Sequence, residues 1–184
     1  MAVLKVSPIE LSCLLEKLSE VIDFNKDLPS NVFVGDGLVF WFFERPLLCF
    51  FDLFCGLILE SVSSFKSDVL IKFSGGEPLA GTCFSFSGSD AGRDTVWLNK
   101  GFEDFFGGEV GYPIILFNST YDWIAFESAH EEFGVIAVKA SALHEGFSEY
   151  LKSNFISIEE LADLGSGSSA ESLIAKAFVS SYCS

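Results

Sequence analysis

The chain predicts an α+β fold with an N-terminal helix, a mainly antiparallel sheet of about six strands, and C-terminal helices packed on one face. Three observations carry that prediction. A helix-start signal followed by an apolar stripe at helical spacing opens the sequence. Short β-rich segments separated by Gly, Pro, Asn and Ser turns fill the middle. Apolar residues return to helical spacing after residue 140. The 184 residues fit one globular domain, 1–184, and an apolar content of 49% excludes intrinsic disorder.

The elements follow in order. Ser7, Pro8 and Glu10 form a capping-box pattern with proline at the first helical position. Leu11, Leu14, Leu15, Leu18, Val21 and Ile22 then recur at helical spacing, which places the end of this helix near Phe24. A strand is expected at 38–43 after Gly35-Asp36-Gly37. Residues 46–61 are apolar almost all round and read as a buried helix opened by Pro46, with a hairpin as the alternative. Strands are expected at 68–74, 82–87, 95–99, 113–117, 122–127 and 133–138, separated by turn signals at 75–78, 88–92 and 118–120. Residues 128–132 read as an acidic loop. Helices are expected at 141–152 and 157–164, the latter with a second capping-box pattern at Ser157 and Glu160. The run 165–169, GSGSS, reads as a flexible connector to a last helix at 170–179.

Composition narrows the function classes. There are 26 Asp and Glu against 11 Lys and Arg, a formal charge of −15. That balance excludes a cationic nucleic-acid binder and disfavours an anionic membrane surface. The apolar stretch 37–59 is interrupted by Glu44, Arg45 and Asp52, each costing roughly 2.5–3.5 kcal/mol near a bilayer centre, and by Pro46, so it reads as core. The opening MAVLKVSPIE shows no signal peptide. Five cysteines, at 13, 49, 55, 83 and 183, make an odd set without a C-x-x-C, four of them among apolar neighbours. Free thiols and a cytoplasmic location are expected.

Catalytic signatures are nearly absent, so no enzyme, cofactor or metal is expected. His130 beside Glu131 and Glu132 has the make-up of a general base, but a solvated loop histidine is the plainer reading, and His144 reads as a helix-surface residue. No nucleophile elbow, P-loop or dinucleotide fingerprint occurs. Ser166 in the GSGSS run has no basic neighbour to help hold phosphate.

The distribution of charge is the informative feature. Residues 101–138 contain seven acids, Glu103, Asp104, Glu109, Asp122, Glu127, Glu131 and Glu132, and not one Lys or Arg. A field of one sign attracts a cationic partner and speeds encounter. Aromatics run through the same stretch, including Phe102, Phe105, Phe106, Tyr112, Tyr121 and Trp123, and an exposed one would anchor a contact inside the charged rim. The candidate partner-binding set is therefore these seven acids with Trp123.

Within that stretch, 114–138 reads IILFNSTYDWIAFESAHEEFGVIAV, a strand leading to Asp122-Trp123-Ile124 and an acidic turn. On this segment, and in being small, acidic and without catalytic residues, the chain resembles the immunity proteins of bacterial contact-dependent inhibition and related polymorphic toxin systems. The resemblance implies a protein that neutralises a cognate toxin, a nuclease domain, by capping its basic cleft with an acidic surface. Two alternatives stay open. One is a non-catalytic adaptor or phage- or effector-related protein that binds another basic partner, and the other is a small enzyme with an unrecognised site.

Overall fold

The computed structural model describes residues 3–107 and 111–183. Seven strands, Leu4–Lys5 (β1), Leu38–Glu44 (β2), Val69–Lys72 (β3), Cys83–Phe86 (β4), Ile114–Asn118 (β5), Trp123–Glu127 (β6) and Phe133–Lys139 (β7), form one sheet. Their order is β1-β4-β3-β5-β6-β7-β2, and every neighbouring pair is antiparallel. Six helices accompany them: Pro8–Val21 (α1), Phe51–Phe65 (α2), Ala91–Phe106 (α3), Glu145–Asn154 (α4), Ile158–Gly165 (α5) and Ala170–Tyr182 (α6). The α+β class predicted from sequence is the observed one. The seventh strand is β1, whose two residues are too short to announce themselves.

The helices lie on both faces of the sheet, not on one. On the first face α2, α3 and α4 bury Phe54, Leu57, Leu98, Phe147 and Leu151 against Trp41, Ile71, Leu116 and Ile136. On the second, α1, α5 and α6 bury Leu11, Leu18, Leu161 and Phe178 against Phe42, Leu70, Phe117 and Val135. The strands require this arrangement. All five residues of β5 and all five of β6 are buried, and a strand that is apolar on both sides needs a cover on both.

Local signals fix the helix ends. Both capping boxes form as expected: Glu10 N–H donates to Ser7 Oγ while Ser7 N–H donates back to Glu10, and Ser157 and Glu160 do the same. α1 stops at Val21, three residues short of Phe24, and Ile22 turns extended to bridge Phe33. Residues 95–99, expected as a strand, belong to α3. Asp90 caps that helix by accepting from Arg93 N–H, and Ala91, Thr95 and Leu98 then fall on its buried side. Of the expected connector 165–169, Gly165 ends α5 and 166–169 form the turn to α6, closed by Ser169 accepting from Ser172 N–H. α6 itself continues to Tyr182.

Residues 46–61 are helical, as expected, but only partly core. A single 3-10 turn, Leu47–Cys49, leads into α2. Phe54 is 1% exposed whereas Phe51 is 44% exposed. Gly56 is obligatory where α2 meets α4, because a Cβ there would lie 2.1 Å from Tyr150 Oη, which donates to the Leu53 carbonyl at 2.9 Å. Among the described residues no helix is long and apolar enough to cross a membrane. All five cysteines are free, and only Cys83 is buried; Cys13, Cys49 and Cys183 are exposed, so apolar sequence neighbours did not make them the small core residues expected.

Candidate functional site: the acidic end of the sheet

Antiparallel pairing brings the end of β2, β3 and β6 and the start of β4, β5 and β7 to one end of the sheet. The register shows this directly: Phe43 faces Gly134, Glu127 faces Ile114, and Lys72 lies between Cys83 and Ile115. The last turns of α3 reach the same end, where Phe102 and Phe105 pack on Phe73 just past β3. Carboxylates from separate elements therefore reach that end, on both faces of the sheet. They are Glu44 at the end of β2, Glu103 and Asp104 on α3, and Glu131 and Glu132 in the β6–β7 loop. Glu171 at the start of α6 joins Glu44 and Glu132 around a recess of about 390 Å³ floored by Pro46 and Phe133.

None of these acids is paired. The ion pairs among the described residues are Lys26–Asp23 and Arg93–Asp90, neither of which includes one of these acids; the first lies in the loop whose Asp27 accepts from Ser128 Oγ just past β6 at 2.9 Å. Arg45, which borders the recess, turns its guanidinium to backbone: Nη2 donates to the Ala129 carbonyl at 3.0 Å and Nε to the Glu131 carbonyl. The arginine thereby shapes the acidic loop and leaves its carboxylates free. Lys72 at this end is fully buried and donates to the Glu77 carbonyl at 2.6 Å and to Ser74 Oγ. Burial pushes its ammonium down to about 8.

Below the exposed acids lies Glu127, 6% exposed. Its Oε1 accepts the Leu47 N–H at 2.8 Å. Burial pushes its carboxyl up to about 7, against the opposing pull of that hydrogen bond and of Arg45. Cys49 is held above the usual thiol range by partial burial first, then by the charges of Glu127 and Glu103. Glu103 of α3 and Glu127 at the end of β6 thus both act on the same thiol.

The sequence-derived set separates accordingly. Glu103, Asp104, Glu131 and Glu132 all lie at this end of the sheet, and Glu127 is buried there. Asp122 sits at the opposite end of the sheet. There its N–H donates to Asn118 Oδ1 at 2.8 Å and its Oδ2 accepts from Asn118 Nδ2 at 3.1 Å, fastening the β5–β6 turn. Trp123 is not a surface anchor, being 1% exposed with Nε1 donating to Ser61 Oγ at 2.8 Å. Glu109 lies outside the described residues. Sequence reading missed Glu44, Glu171 and the shaping role of Arg45, because the end of β2 and the start of α6, far apart in the chain and outside the acidic run, supply them. The expected aromatic anchors of 101–138 pack inward; the exposed phenylalanines are Phe50 and Phe51.

Chemically, the end presents unneutralised carboxylate oxygens on a rigid support, a surface for ammonium or guanidinium groups. Among the described residues no cluster of His, Cys, Asp and Glu is placed to hold a metal. The Lys72–Ser74 pair, with Thr82 Oγ1 at 2.7 Å from Ser74 Oγ, is enclosed: all three side chains are buried, so no substrate atom reaches the serine in this conformation. His130 and His144 are exposed, and His144 lies edge-on to Phe65 at 5.0 Å. Comparison with protein-family models, curated proteins and solved structures returns no match.

Proposed function

We propose that the protein is an immunity protein which binds a basic toxin domain, a nuclease, in the bacterial cytoplasm and covers its substrate cleft with the acidic end of the sheet. One observation carries the reading. Six exposed or half-exposed carboxylates, Glu44, Glu103, Asp104, Glu131, Glu132 and Glu171, lie at one end of the sheet, Glu103 and Asp104 on the helix of its first face and Glu44, Glu132 and Glu171 around a recess on its second, without an ion-pair partner among the described residues. Unpaired charges of one sign repel one another, and a fold that gathers them accepts that cost in return for a field which steers a cationic partner. A cleft built to bind phosphate offers such a partner.

Co-expression with the reading frame immediately upstream tests this. The proposal expects that frame to encode a toxin that arrests growth alone, and growth to return when this protein is present. The quadruple variant Glu103→Gln, Asp104→Asn, Glu131→Gln, Glu132→Gln should lose that rescue. A non-toxic neighbour whose basic product still binds would select the adaptor reading instead.

A further inference from the structure

The edge of β2 beside the acidic recess is only half closed. Within an antiparallel ladder, successive residues turn their N–H and C=O alternately towards one neighbour and the other. Arg45 N–H points to β7, donating to the Glu132 carbonyl at 3.0 Å, and Phe42 points to the outer edge, where it exchanges both bonds with Ile156 at 2.8 and 2.9 Å. Glu44 shares the parity of Phe42. Its N–H and C=O therefore face outward, and among the described residues nothing pairs with them. In the continuation of Ile156 the chain has already entered α4 at Asn154, whose side chain turns back to the Tyr150 carbonyl.

A niche of about 180 Å³ opens at that gap, bordered by Phe43, Glu44, Phe50, Leu53, Asn154 and Ile156. Drug-sized ligands need roughly 300 Å³ or more; this space suits one leucine-sized side chain. Phe50 on its rim is 41% exposed. Leu53 belongs to the first face of the sheet. The recess of Glu44, Glu132 and Glu171 opens on the second face, the side of Phe133 and α6. Glu44 is common to both.

From this juxtaposition, and resting on the immunity reading above, we infer that the basic partner docks an extended segment on the free edge of β2, with an apolar residue in the niche and an adjacent arginine or lysine over Glu44, Glu132 and Glu171. Side chains of a strand alternate between faces, so two consecutive residues, one apolar and one basic, reach the two openings at once. The unpaired backbone of Glu44 supplies the strand-addition bonds. A second copy of this chain is the wrong occupant, since its net charge of −15 would be brought against itself. The complementary charge identifies a cationic segment.

Acetyl-Val-Leu-Arg-Val-amide is a sufficient probe, read by amide shifts of the ¹⁵N-labelled protein. Shifts should centre on Glu44, Phe50, Asn154 and Ile156 with a dissociation constant of about 1 mM. Citrulline in place of Arg, or Ala in place of Leu, should weaken binding by about tenfold, and N-methylation of the peptide backbone at Arg, the residue that faces Glu44 across the antiparallel ladder, should abolish it without touching the protein. Glu44→Gln with Glu171→Gln should weaken the arginine peptide and leave the citrulline peptide unchanged, a difference that misfolding cannot produce. No shifts up to about 5 mM, shifts elsewhere, or equal binding of the arginine and citrulline peptides would overturn the inference. Toxin binding that depends on Glu103, Asp104, Glu131 and Glu132 but not on Glu44, Phe50 or Glu171 would also overturn it, while leaving the acidic-end reading intact.

Discussion

The backbone N–H of Leu47 donates to Glu127 Oε1 at 2.8 Å, tying the turn after β2 to the last residue of β6. One buried carboxylate thus fastens the two segments on which the acidic end is built. Desolvation raises its pKa from the ordinary 4.5 to about 7, so the folded state holds its proton more tightly than the unfolded state does. Below about pH 4.5 the group is neutral in both and costs nothing. Stability is lost as pH rises through 4.5 to 7, by about 3 kcal/mol for a shift of that size. Glu127→Gln keeps an acceptor for Leu47, and its denaturant-unfolding free energy should lack this decline. A Gln variant that parallels wild type from pH 4 to 8 would refute the assignment.

Lys72 should show the opposite trend at the other end of the scale. Burial lowers its pKa from 10.5 to about 8, so the unfolded chain binds the proton more tightly. Wild type should gain about 3 kcal/mol relative to Lys72→Met as pH rises from about 8 to 10.5. Parallel stability curves over that window would contradict it.

Phe54 and Phe51 are three residues apart on α2 and should respond differently. Phe54→Ala, at a fully buried site against Phe86, should cost about 3–5 kcal/mol. Phe51→Ala, at a site 44% exposed, should cost less than about 1 kcal/mol. Equal losses in thermal or urea unfolding would mean that α2 packs on a different face.

Asp94 on α3 is 1% exposed, and neither of its carboxylate oxygens has a hydrogen-bond partner among the described residues. Removing a buried polar group that pairs with nothing relieves its desolvation. Asp94→Leu should therefore leave stability unchanged or raise it by about 1–3 kcal/mol. A clear loss in urea unfolding would show that the carboxylate has a partner.

Much of the fold was legible because local chemistry and final structure agree. Ser7 with Glu10 and Ser157 with Glu160 announce helix starts that tertiary packing leaves in place, and the alternation of β-rich runs with turn residues marks six strands. The two-sided covering of the sheet was also written in the sequence, since IILFN and WIAFE are apolar without alternation, the pattern of strands buried on both faces. Residues 95–99 misled because Thr95, Val96 and Trp97 have strand propensity; the Asp90 cap and the packing of Ala91, Thr95 and Leu98 outweigh it. The site was half legible. A run without Lys or Arg marks acids that lie together in the chain, but strand direction decides which end each one reaches. Asp122 and Glu127 are separated by the length of β6, and Glu44 and Glu171 arrive from outside the run altogether.

Association kinetics with the upstream gene product test the central claim most directly, measured for wild type and for two charge-matched variants from low to high salt. The first variant carries Glu103→Gln, Asp104→Asn, Glu131→Gln and Glu132→Gln. The second carries Glu16→Gln, Glu20→Gln, Asp68→Asn and Glu145→Gln. Glu10 is left in place because it closes the first capping box. Screening shortens from about 10 Å at 0.1 M salt to about 3 Å at 1 M, so the wild-type association rate should fall by about tenfold or more over that range. The first variant should start about tenfold slower and show a flattened salt dependence, with folding stability unchanged or slightly raised, while the second stays within about twofold of wild type. Equal slowing by both variants would reduce the acidic end to bulk net charge, and a rate indifferent to salt would contradict the account outright.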